Sequence, residues 1–135
     1  MQGFGILVAA HGGLAAALLS TAELICGRLE RVRVVGLEPE DSPESFAERF
    51  FAAAGDPAEP LLILTDLVGG TPHNVALAAL RRLPAATLIS GVNLAVLIEA
   101  ATSGDALDGA FVERLVASGR EALVDGASLL ALRRT

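Results

Sequence analysis

The run Leu61-Leu62-Ile63-Leu64 is apolar at every position and leads directly into Thr65-Asp66. A strand with one wet face alternates apolar and polar residues, whereas an unbroken apolar run needs cover on both faces, as in a parallel sheet. Phe4 to Ala10 shows the same pattern, and Val32 to Leu37 and Ala86 to Ser90 are shorter versions of it. Helical patterns separate the four runs, so the chain reads as βαβ throughout. The expected fold is α/β: three layers, doubly wound, with a mainly parallel sheet in which Leu61–Asp66 is central.

The intervening helices have readable ends. Leu14 to Leu29 forms the first, with Leu18, Leu24 and Ile25 spaced for burial. Ser42 is an N-cap followed by Pro43, which predicts a helix from Pro43 to about Ala53, stopped by Gly55. Gly69, Gly70 and Thr71-Pro72 read as a turn before a helix over Asn74 to Arg82, closed by Pro84. Asn93 caps a helix to about Thr102, and Asp108 to about Val124 supplies the last. Ser128 to Leu132 is a candidate C-terminal antiparallel edge strand. With 135 residues and no linker or repeat, one domain over residues 1–135 is expected.

A net charge of -6 and a pI near 4.8 leave no basic cluster to displace counterions from a nucleic-acid backbone, which excludes that class of partner. Met1 to Ala22 contains no Asp, Glu, Lys or Arg, but it lacks a positive leader region and is interrupted by His11-Gly12-Gly13. A buried strand explains it better than a signal peptide or membrane span. The single Cys26 can form no internal disulfide and has no ligand neighbours, so a reduced cytoplasmic setting without a metal is expected; on an apolar helical face it reads as core.

His11 follows the first strand directly and precedes Gly12-Gly13. Its ring should emerge at the carboxyl edge of the sheet, where open α/β folds bind ligands, beside the start of a helix. A histidine there can be a covalent nucleophile if a neighbour fixes its tautomer. Alone, a histidine after a strand is more often structural or merely exposed. Asp66 ends the third strand at the same edge. If the first and third strands are neighbours, as in a flavodoxin-like order, its carboxylate reaches one imidazole nitrogen while the other faces solvent. Gly12, Gly69, Gly70 and Thr71 could then supply amides and a hydroxyl to a phosphoryl group; an ordinary turn is the alternative.

Four segments in order, Ala10-His11-Gly12, Thr65 through Asn74, Ser90-Gly91-Val92-Asn93-Leu94 and Ser118-Gly119-Arg120-Glu121-Ala122, resemble the mannose/fructose/sorbose-family A component (EIIA) of the phosphoenolpyruvate-dependent sugar phosphotransferase system, the PTS. The resemblance implies that His11 accepts a phosphoryl group from the phosphocarrier HPr and passes it to an EIIB component serving the membrane EIIC/EIID permease. It implies that Asp66 orients the imidazole, that Thr71 and the loop amides hold phosphate, that no cofactor takes part, and that the protein is a cytoplasmic homodimer placed at the membrane only through the permease. Val68 and Leu14 stand where the family often carries aromatic residues, and His73 where it commonly carries an apolar or aromatic one. Asn93 is expected to cap a helix and Arg120 to lie on the surface. Two other readings remain at this point: a sirohydrochlorin-type metal chelatase using His11 and His73, and the phosphoryl donor subunit of dihydroxyacetone kinase.

Overall fold

A computed structural model describes residues 3–134. Four strands, β1 (Gly5–His11), β2 (Val32–Leu37), β3 (Leu61–Thr65) and β4 (Ala86–Ser90), form a parallel sheet in the order β2-β1-β3-β4. This is the flavodoxin-like arrangement, with β1 and β3 as central neighbours. The register sets Ala9 opposite Thr65 on one side of β1 and His11 opposite Leu37 on the other.

Both faces are covered, which is why the central strands are apolar at every position. Ile6, Val8, Ala10, Leu62 and Leu64 pack with residues of α1 (Leu14–Cys26), α4 (Leu94–Thr102) and α5 (Gly109–Glu121). Leu7, Ala9, Leu61 and Ile63 pack on the opposite face with α2 (Pro43–Ala54) and α3 (Thr71–Ala79). Phe46 and Phe50 of α2 have no exposed surface and stabilise that layer by about 1.5–3 kcal/mol each. The start of α2 is held by a reciprocal pair: the Ser42 hydroxyl accepts from the Ser45 amide and the Ser45 hydroxyl from the Ser42 amide, each at 3.0 Å.

Several local expectations need correction. Helix α1 stops at Cys26, not Leu29, because Gly27 adopts a φ of +83°. Its buried residues are Ala15 and Ala22, whereas Leu24 is 86% exposed, Ile25 and Cys26 are exposed, and Leu18 is half-buried. Leu24 lies two positions past Ala22, about 200° around the helix and so on the outer side. Helix α3 begins at Thr71, so Thr71 and Pro72 form its first turn instead of the preceding loop; proline at the second position needs no amide partner. The expected edge strand over Ser128–Leu132 lies within a helix, α6 (Gly126–Arg134). Asp125 starts it by accepting from the Ala127 amide at 3.0 Å and the Ser128 hydroxyl at 2.9 Å, and the Leu-Leu-Ala-Leu run that follows favours a helix once capped. No described helix is long and apolar enough to cross a membrane.

Candidate active site

His11 closes β1 and Asp66 follows β3, so the two-strand pairing carries both to the carboxyl edge of the sheet. One carboxylate oxygen of Asp66, Oδ2, accepts twice from His11: from the backbone amide at 2.9 Å and from ring Nδ1 at 2.8 Å. The other, Oδ1, accepts from the Leu67 amide at 2.9 Å. A ring nitrogen facing a carboxylate holds the proton, which leaves Nε2 with its lone pair free. The Asp66 side chain is 9% exposed and that of His11 44%, so the carboxylate is the enclosed partner and the ring the open one. Burial alone would raise the Asp66 pKa; the bonds from the His11 amide and ring, with the charge of the ring, outweigh it and hold the carboxyl below its ordinary value.

Gly70 borders the ring. A Cβ built there would stand 2.7 Å from His11 Cε1 and 3.3 Å from Nε2, so only glycine lets the imidazole lie against this backbone. Gly70 also precedes α3, and Gly13, two residues after His11, precedes α1. These two helices share a property. Neither has a side-chain cap, whereas Ser42, Asn93 and Asp108 cap α2, α4 and α5, and Asp125 accepts from the Ala127 amide in the first turn of α6. The first amides of a helix have no intrahelical partner. At α3 those of Thr71 and His73 are in that position, since the first helical bond runs from the Asn74 amide to the Gly70 carbonyl. An anion is what such ends accept, and the two that flank His11 have been left without one of their own.

The strand end behind Asp66 is firmly tied. The Thr65 hydroxyl, fully buried, donates to Ser90 Oγ at 3.0 Å, and the Thr65 carbonyl accepts from the amides of both Gly91 and Val92 at 2.9 Å. Asn93 caps α4 as expected, accepting from the Val96 amide, and its amide group also donates to the Gly119 carbonyl at 3.0 Å. Thus the Ser90–Leu94 and Ser118–Ala122 motifs meet each other through Asn93 and are tied to the strand end behind Asp66 through Thr65. Arg120 lies exposed in the last turn of α5.

Residues 5–115 match the family model EIIA-man, described as the PTS system fructose IIA component. The chain belongs to that family. It is 33% identical over 122 residues to the mannose-specific EIIAB component of Escherichia coli K12, covering 86% of this chain but 37% of that protein. The mannose/sorbose-specific IIA subunit of Enterococcus faecalis superposes with a TM-score of 0.83 at 32% identity, over 93% of this chain and 95% of its own. The phosphotransferase system component EIIA of Streptococcus agalactiae gives 0.84 at 31% identity, over 93% and 98%. Membership in the EIIA-man family favours the phosphoryl carrier over the chelatase and dihydroxyacetone kinase readings.

His73, the chelatase candidate, sits in the first turn of α3 with its Nδ1 buried and unbonded among the described residues. An enclosed unpaired nitrogen is a cost without a return. His73→Phe keeps an aromatic ring and removes the polar atom, and should raise unfolding stability by about 1 kcal/mol in urea titration; a loss of stability in both His73→Phe and the smaller His73→Leu would show that the nitrogen has a partner. Sequence reasoning missed Gly36, whose absent side chain makes room for the carbonyl of Gly12: a Cβ there would overlap that oxygen. Its signal was a glycine interrupting the Val34-Val35 strand pattern, a usual mark of close backbone approach.

Proposed function

We propose that this chain is the phosphohistidine carrier of a sugar PTS, an EIIA domain that takes a phosphoryl group from HPr on His11 and gives it to an EIIB component serving an EIIC/EIID permease. The observation that carries this reading is the Nδ1–Asp66 bond at 2.8 Å, which leaves Nε2 free beside an uncapped helix start. In the transfer, the Nε2 lone pair forms a bond to phosphorus as the donor's nitrogen–phosphorus bond breaks, and the donor ring leaves with the electron pair. His11 gains positive charge, which the Asp66 carboxylate offsets while its bond keeps the proton on Nδ1. Thr71 would offer its amide and hydroxyl, and Gly69 its amide, to the phosphoryl oxygens; Gly12 and Gly70, expected as amide donors, can only shape the backbone there, because their amides already donate to the Leu37 and Leu67 carbonyls. Catalysis here is positioning and charge compensation, as phosphoryl transfer requires.

The surroundings suit two protein partners in turn. Leu14, three residues after His11, and Leu67 and Val68, directly after Asp66, are exposed apolar residues, and Glu38 and Glu40 lie exposed beyond β2, so a partner with an apolar centre and basic rim fits. The carrier would work in the cytoplasm, reaching the membrane only through the permease complex. Incubation with phosphoenolpyruvate, enzyme I and HPr should add one acid-labile phosphoryl group by intact mass; no gain would overturn the reading.

We also infer a homodimer. Leu123 and Val124 after α5, and Leu129 and Leu130 on α6, are exposed large apolar residues on consecutive segments, a surface that a second copy would cover. Light scattering should give a dimer for the unaltered chain and a monomer for the Leu129→Glu, Leu130→Glu double variant. A monomeric parent would dismiss this assembly.

A further inference from the structure

Asp66 holds His11 from the β3 side, and a second set of contacts holds the following turn from the β2 side. The Gly12 amide donates to the Leu37 carbonyl at 2.8 Å, extending the β1–β2 ladder one residue past the strand. Gly12 has a φ of +57°, which turns its own carbonyl down against Gly36. The platform under the turn is therefore the Gly36–Leu37 backbone at the end of β2.

That platform is fastened from α2. Arg49 donates from Nη2 to the Gly36 carbonyl at 2.9 Å and pairs with Asp41 through the same nitrogen. The Asp41 carboxylate in turn accepts from the Glu38 amide at 2.8 Å and from the Ser45 hydroxyl at 2.8 Å. Its side chain is only 10% exposed, so the ion pair is shielded from water on one side and holds its geometry better than a surface pair would. These bonds, with the ion pair, hold the peptide of Gly36, the Glu38 amide and the first turn of α2 together.

We infer that Arg49 is a positioning residue for phosphoryl transfer: through Gly36 it fixes the Gly12 turn, and with it the uncapped start of α1 that receives the phosphoryl oxygens. This inference rests on the carrier reading of His11. Arg49 touches neither His11 nor Asp66 in the hydrogen-bond network, so its effect is geometric. Loss of the clamp should slow the chemical step and leave donor docking alone, because the exposed residues around His11 are untouched.

The test uses the full chain with Arg49→Met, which keeps length and apolar packing but removes every donor, and Arg49→Lys, which restores a charged donor. Two readouts are followed: transfer kinetics from phosphorylated HPr, and hydrogen exchange of individual amides. For Arg49→Met, kcat should fall about tenfold with KM unchanged, as expected for a small misplacement of reacting groups. The Gly12 amide should exchange about tenfold faster while those of β3 keep their protection. Arg49→Lys should return both values to within about twofold of the parent, since its ammonium can still bridge Asp41 and Gly36. Wild-type kcat and Gly12 exchange in Arg49→Met would overturn the inference, as would uniform loosening of all amides. If Arg49→Met does not fold, Asp41→Asn is judged by the same criteria. A parent chain that takes up no phosphoryl group sinks the carrier reading; the Gly12 exchange rate still decides the clamp.

Discussion

His11→Ala should abolish phosphoryl uptake completely while leaving the fold intact. Among the groups assembled at the carboxyl edge, Nε2 of His11 is the free nucleophile of suitable chemistry, and no neighbouring donor set can substitute for its lone pair. The ring stands at the sheet edge with 44% of its side-chain surface exposed, so its removal opens no enclosed cavity. Two measurements on one sample check this: intact mass after incubation with the phosphoryl donors, and thermal unfolding. Uptake equal to the parent would move the phosphorylated residue elsewhere, with His73 the next histidine to examine. Loss of uptake together with loss of folding would mean that the histidine is structural.

Asp66→Asn should have the second largest effect. Oδ2 accepts two N–H groups of His11 and Oδ1 accepts that of Leu67, so every contact made by this carboxylate is as an acceptor. An amide in its place must turn its NH₂ toward one of these donors. If it faces the ring, the proton shifts to Nε2 and the nucleophile is lost; if it faces Leu67, the tautomer survives but the charge that offsets the imidazolium is gone. A rate loss on the order of 10²- to 10⁴-fold is expected, the scale seen when a carboxylate that fixes a catalytic imidazole is replaced by an amide. Nitrogen NMR of the ring would separate the two routes, and transfer at the parental rate would remove Asp66 from the mechanism. The lowered Asp66 pKa has a stability counterpart with a definite sign. A depressed carboxyl contributes stability that is fully present above its unfolded pKa, near 3.8, and is lost as pH falls through the lower folded value. Asp66→Asn should therefore flatten the acid limb of the stability curve.

The sheet and the site's central pair were legible because their causes are local. An unbroken Leu-Leu-Ile-Leu run means two covered faces, and a histidine and an aspartate at the ends of adjacent central strands must lie close together. Where packing is made by the smallest residues, the sequence misleads: α1 meets the sheet through Ala15 and Ala22, while Leu24 and Ile25, the obvious candidates, face outward. The Ser128–Leu132 run is too short for periodicity to separate strand from helix, and the capping aspartate that decides it lies before the run. Gly36 carries a sequence signal for close backbone approach, but which backbone approaches it, and the part that Arg49 plays there, depend on where the Gly12 carbonyl comes to rest, a fact of tertiary structure.

The openness of the His11 ring also sets a limit on any bond made there. A phosphorus–nitrogen linkage at this position would be open to water on one side, since the ring that bears it is 44% exposed. The loaded protein would then be a transient species. Such a carrier works only where the acceptor is close at hand and unloading outpaces hydrolysis.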